Sequence, residues 1–162
     1  MTETAVNELR VVAEPGVQDV WITRRINAPR ERVFWAYTDA QAVTRWWGPR
    51  RYETIVDRLE ARAGGSWRFT NRGADGQEFG FHGVFHDVVT PERITWTFEF
   101  EGMPGHVSLE TVAFEADGDA TNITIHSVFE SVGDRDGMIE SGMEGGLAES
   151  MERLEELLGA RG

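Results

Sequence analysis

The sequence predicts an α+β domain in which one curved antiparallel β-sheet wraps around a long C-terminal α-helix, with two short helices after the first strand. Three observations carry that prediction. Between residues 51 and 130 apolar side chains recur with period two, in runs divided by Gly- or Pro-containing turns, as in an antiparallel meander with one buried face. Before this stretch, Asn27-Ala28-Pro29 switches the chain from strand to helix, since proline is tolerated in a first helical turn. After it, Met143, Leu147, Met151, Leu154 and Leu158 fall on one helical stripe, while Glu144, Glu149, Glu152, Glu155 and Glu156 lie elsewhere.

Residues 1–16 are polar and broken by Pro15-Gly16, which predicts a flexible N-terminal tail or a short accessory strand; a single domain is expected over 17–160. Val20, Ile22, Arg24 and Ile26 alternate as a first strand. Val33, Phe34 and Tyr37 share a face of the first helix. Asp39 suits the cap of the second, which places Ala42, Val43, Trp46 and Trp47 on one side and is stopped by Gly48-Pro49. Two adjacent indoles are costly to leave in water, so apolar structure must cover them.

The following strands are expected at 51–61, 66–72, 78–89, 93–101, 106–116 and 121–130. In them Trp67 and Phe69 alternate with Ser66, Arg68 and Thr70, and Ile94, Trp96, Phe98 and Phe100 alternate with Thr95, Thr97 and Glu99. Gly142, Gly145 and Gly146 at the opening of the last helix admit two readings. Either regular helix begins only after Gly146, or the missing side chains let helix, sheet or ligand approach closely.

A length of 162 residues fits one domain able to enclose a core without metal or disulfide support. The formal net charge of -12 opposes phosphate backbones, so no nucleic-acid partner is expected. The chain contains no cysteine, which removes disulfides, thiolate nucleophiles and Cys-based zinc sites. Without an apolar leader or a stretch long enough to span a bilayer, a soluble cytoplasmic protein with no membrane insertion is the default expectation.

Several chemistries lack support. No Gly-x-Ser-x-Gly elbow is present, and neither Gly64-Gly65 nor Gly145-Gly146 matches a phosphate-binding loop. His82 and His86 stand four apart in a strand, about 13 Å along the backbone, so no metal site and no cofactor are expected. His82, His86, His106 and His126 are the first candidates for proton transfer, although alternation turns His82, His126 and Arg68 away from the aromatic face. The aromatic set is more informative. Trp47, Trp67, Phe69, Phe81, Phe85, Trp96 and Phe98, with Met143, Leu147 and Met151, are candidates to line a space between sheet and terminal helix, rigid rings around flexible methionines.

These pieces resemble the domain shared by bacterial Hsp90-ATPase activator homologues, within the START-like, SRPBCC or Bet v 1-like superfamily that includes polyketide cyclases. The resemblance rests on Arg24-x-x-x-Ala28-Pro29-x-x-x-Val33-Phe34, Thr38-Asp39 and Arg45-Trp46-Trp47-Gly48-Pro49, continues through Gly64-Gly65-x-Trp67-x-Phe69, Gly83 and Pro91-Glu92-Arg93-Ile94, and ends at Gly142-Met143. It implies a helix-grip fold, in which a cavity opens between the sheet and the C-terminal helix. Met143 stands where such proteins often carry tryptophan, which implies a wider, more adaptable wall. The leading expectation is a domain that binds a small hydrophobic or aromatic molecule, exchanged through loops near Gly48-Pro49 and Gly102-Met103-Pro104-Gly105. A polyketide cyclase or hydratase-like enzyme is the alternative, and an Hsp90-type co-chaperone or other interaction protein the third option. A homodimer is a further expectation for a sheet with free edges.

Overall fold

The computed structural model describes residues 8–159. Its strands are β1 (Arg10–Val12), β2 (Asp19–Ile26), β3 (Glu53–Leu59), β4 (Ser66–Arg72), β5 (Glu78–Val89), β6 (Arg93–Phe100), β7 (Val107–Asp117) and β8 (Ala120–Val128). They form one antiparallel sheet in the order β1-β2-β8-β7-β6-β5-β4-β3, in which β3 to β8 are a continuous meander and β2 closes onto its last strand. Bulges between Val56 and Arg58 and between Phe85 and Asp87 bend the strands that carry them. Of the N-terminal segment, Arg10–Val12 is an accessory strand paired with β2, Val11 opposite Ile22; residues 1–7 lie outside the described residues.

Two helices, α1 (Arg30–Thr38) and α2 (Ala40–Trp46), follow β2. The Asp39 carboxylate accepts a hydrogen bond from Ala42 N–H at 3.0 Å and so caps α2. The chain leaves helix at Trp47, at φ -75° and ψ 131°, and Gly48, at φ 90°, then turns it away from the helix direction. The two indoles then part company. Trp46 enters the core, donating its ring N–H to the Ala36 carbonyl at 2.8 Å, whereas Trp47, already extended, turns toward the aromatic rings of β4 and β5.

Two further helices end the chain, α3 (Val132–Glu140) and α4 (Met143–Leu157). The sequence pattern predicts no element at α3, which Ser131 caps by accepting from Asp134 N–H at 3.0 Å. Helix α4 begins at Met143, before the glycine pair and not after it, because Gly142 takes the left-handed conformation at φ 93° and starts a new helical direction there. Neither glycine inside α4 is there to relieve crowding: a Cβ at Gly145 would meet nothing within 4 Å, and one at Gly146 would meet Pro49 at an ordinary 3.6 Å.

The core lies on the inner face of the sheet, where Val20, Ile22, Ile26, Trp67, Phe69, Phe85, Ile94, Val112, Phe114, Ile123 and Ile125 meet α1, α2 and the stripe Met151, Leu154 and Leu158 of α4. Helix α4 packs along α2 and reaches the sheet at β2. The Trp47-Gly48-Pro49 turn is fastened to it: Gly48 N–H donates to Ser150 Oγ at 3.0 Å, and Arg153 donates to the Gly48 carbonyl at 2.7 Å. A helix held this way stands off the middle of the sheet, and the space between remains open.

Candidate ligand-binding site

Two adjoining cavities occupy that space, of about 430 Å³ and about 240 Å³. The smaller lies beneath α4, walled by Trp47, Trp67 and Trp96 from the sheet side and by Met143, Leu147 and Met151 from the helix. The larger extends toward α3 and the β6–β7 loop, between Phe79 and Phe100 on one side and Met103 and Met138 on the other. Asn71, Phe81, Phe98, Ser108, Phe129 and Met138 border both, so the two are chambers of one hollow.

The aromatic wall is built by strand alternation. Trp67 of β4, Phe81 of β5 and Trp96 and Phe98 of β6 all point inward, and pairing brings their rings together: Trp67 to Trp96 at 5.2 Å, Phe81 to Phe98 at 5.6 Å, Trp47 edge-on to Phe81 at 5.3 Å. Offset and edge-on contacts of this kind hold rings rigidly. Gly83 makes room for one of them. The Trp67 indole crosses over it to donate to the Thr97 carbonyl at 3.1 Å, and a Cβ on residue 83 would sit 1.9 Å from that carbonyl oxygen.

Of the ten residues named from sequence, Trp47, Trp67, Phe81, Trp96, Phe98, Met143, Leu147 and Met151 border the hollow. Phe69 and Phe85 do not. Both are buried one layer back, Phe69 against Trp47 and Trp67 at 5.0 and 4.7 Å, Phe85 against Trp96 at 5.3 Å, so they brace the wall without facing the void.

The apolar pattern gives no sign of the polar lining. Glu110 of β7 opens onto the smaller chamber, its two oxygens accepting from Trp96 Nε1 at 2.8 Å and Ser127 Oγ at 3.2 Å. It is half-buried and lies at the border of the smaller chamber. Burial pushes its carboxyl above the ordinary range, partly opposed by those two hydrogen bonds. Tyr37 of α1 borders the same chamber; burial, and then the Glu110 charge, push its hydroxyl above its ordinary value. Asn71 of β4, 4 % exposed, meets Thr54 at 3.1 Å with one end of its amide.

Among the histidines only His106 borders the hollow, at the larger chamber, where Nδ1 lies 3.0 Å from both oxygens of Asp134. That contact raises its pKa above the ordinary value. His82 lies on the outer face between Glu99 and Glu101, and Glu101 is held at about 2, chiefly by hydrogen bonds from Arg68. His126 is outward too, stacked on Trp21 at 3.9 Å and 2.7 Å from Asp19, and His86 is exposed. Among the described residues no group of three or more His, Asp or Glu side chains is placed to hold a metal ion.

A bent antiparallel sheet gripping a terminal helix over an aromatic hollow defines a helix-grip domain of the START-like kind. More narrowly, the chain belongs to the family described as Activator of Hsp90 ATPase homolog 1-like protein, whose model matches residues 27–159. It is similar to a solution structure from Arthrobacter aurescens, with 27 % identity, 93 % of this chain and 91 % of that one covered, and a TM-score of 0.85. A crystal structure from Rhodobacter sphaeroides shares the fold at 21 % identity, covering 95 % of this chain and 99 % of that one, with a TM-score of 0.87. An AHSA1 protein from Silicibacter pomeroyi does so at 20 % identity, with coverage of 89 % and 99 % and a TM-score of 0.73. No curated protein matches the chain. Among the described residues no helix is long and apolar enough to cross a membrane.

Proposed function

We propose that this domain binds a small hydrophobic or aromatic molecule in the hollow between its sheet and its C-terminal helix. The observation that supports this reading is the hollow itself. Protein interiors are normally filled to crystal-like density, with few voids larger than a water molecule. Here the larger chamber alone measures about 430 Å³ and falls within the roughly 300–1,000 Å³ of small-molecule sites. Half of the residues at its border are phenylalanine, tyrosine or methionine, which favour a flat apolar guest over water.

A catalytic role of the cyclase or hydratase kind is the second reading. It requires a titratable group inside the cavity, and Glu110 meets that requirement.

Tryptophan emission and thermal melting against a panel of lipids, flavonoids and polyketides test the proposal. A ligand at 100 times its Kd raises stability by about 2.7 kcal/mol. At least one compound is expected to shift both the emission of the wall tryptophans and the melting temperature; a panel in which none shifts either would overturn binding.

A further inference from the structure

Two polar groups at the hollow, one buried and one half-buried, have spare capacity that the protein does not use. Tyr37 is 4 % exposed, and its hydroxyl has no hydrogen-bond partner among the described residues. Glu110 already receives one hydrogen bond on each oxygen, from Trp96 Nε1 and from Ser127 Oγ, and no cationic side chain lies at its chamber to balance a negative charge. A lone carboxylate in such a site takes up a proton more cheaply than it stays charged. The tyrosine hydroxyl proton then has no acceptor among the described residues, and the carboxyl proton has only the Ser127 hydroxyl oxygen at 3.2 Å, which a guest can replace. A donor left unmatched away from water is destabilising, and a guest of the right chemistry would relieve that.

The two groups are near one another. The Tyr37 ring lies 6.5 Å from the Trp96 ring, whose indole N–H holds Glu110, and the Glu110 charge reaches the Tyr37 hydroxyl. Around them stand the rings of Trp46, Trp67 and Trp96 and the aliphatic side chains of Ile125 and Met151.

We propose that Glu110 and Tyr37 form a two-donor seat for a single carbonyl oxygen, so that the guest is an uncharged aromatic ketone or a related flat carbonyl compound. This rests on the binding role proposed above and narrows it to a chemical class. A carbonyl oxygen has two lone pairs and takes both protons; a pure hydrocarbon takes neither, and an ammonium ion brings only further donors. The apolar walls supply the remaining affinity, and the pair fixes which end of the guest enters first.

Three probes of one shape separate the outcomes: acetylnaphthalene, isopropylnaphthalene and naphthylethylamine, titrated into the full chain while the indole N–H signals are followed by NMR. Acetylnaphthalene is expected to bind about 10-fold tighter than isopropylnaphthalene and to move the Trp96 indole signal. Tyr37→Phe should erase most of that preference while leaving the affinity for isopropylnaphthalene unchanged, and Glu110→Gln, which keeps an N–H donor, should retain part of it. Equal binding of the ketone and the hydrocarbon overturns the carbonyl seat while leaving the apolar hollow as a binding site. Tightest binding of the amine, lost in Glu110→Gln, overturns it as well, in favour of a charged carboxylate reading a cation. Binding of none of the three overturns both proposals.

Discussion

Glu110 sits in β7 in phase with Val112 and Phe114, so strand geometry delivers its carboxyl to the apolar side whatever the solvation cost. The pH consequence follows from the sign of its shift. Its folded-state pKa lies above the ordinary 4.5, so between those two values the folded protein keeps a proton that the unfolded chain releases. Stability therefore declines as pH rises from about 4.5 through the folded value, and the penalty is constant above it. Glu110→Gln cannot ionise and escapes the decline. Its melting temperature is expected to gain on the wild type progressively from acid to neutral pH, and two parallel curves would show that the carboxyl is not raised.

The same parity rule makes part of the polar lining legible in the sequence. Asn71 is in phase with Trp67 and Phe69, and Ser127 with Ile123 and Ile125, so alternation places each of them inward; a pattern drawn from apolar residues alone passes them over. The spare hydroxyl of Tyr37 is not legible. Its position on the buried face of α1 follows from spacing, but its lack of a partner depends on what β6 and β7 bring within reach. Nor does alternation separate Phe69 and Phe85 from the wall they brace, since depth behind a ring depends on how far the helices stand off the sheet.

Among the elements, the strands are readable because turns punctuate them, and α1 and α2 because a proline and a capping aspartate announce them. Helix α3 is hidden by its composition: Gly133 and Gly137 weaken the helical signal, and only Val132, Met138 and Ile139 are apolar along it. Its placement matters, because Asp134 in its first turn joins His106 of the β6–β7 loop across the border of the larger chamber. His106 gains a partner on folding, so the pair's contribution is complete below the ordinary histidine value of 6.5 and is lost as pH rises through the higher folded value. Asp134→Asn should move the His106 titration, followed by NMR, to lower pH, and should speed amide exchange in residues 102–106. An unmoved titration would mean that the contact does not persist in solution. The loop at Gly48-Pro49 differs. Ser150 and Arg153 fasten it to α4 through its backbone.

For the molecule as a whole, the order of the sheet and the grip of the terminal helix are both implicit in a meander followed by an amphipathic stripe. The unfilled interior is an expectation that no count of aromatic residues decides, because the same rings fill a core or line a hollow according to where α4 comes to rest. It rests on α2. If the hollow is the binding site, filling it should separate stability from binding. Leu147→Trp, which adds bulk at the border of the smaller chamber, is expected to raise stability by about 1 kcal/mol in denaturant melts and to abolish the response to any ligand found by fluorescence. A variant that still binds would place the ligand elsewhere.

One side of the chamber is carried by strands, whose side chains are committed to a ladder of backbone pairs, and the other by α3 and α4, whose inward residues belong to no ladder. Exchanges at Met138, Met143 or Leu147 therefore leave strand register untouched while reshaping what fits. Descendants of such a gene are free to change guests across generations and still inherit the same architecture.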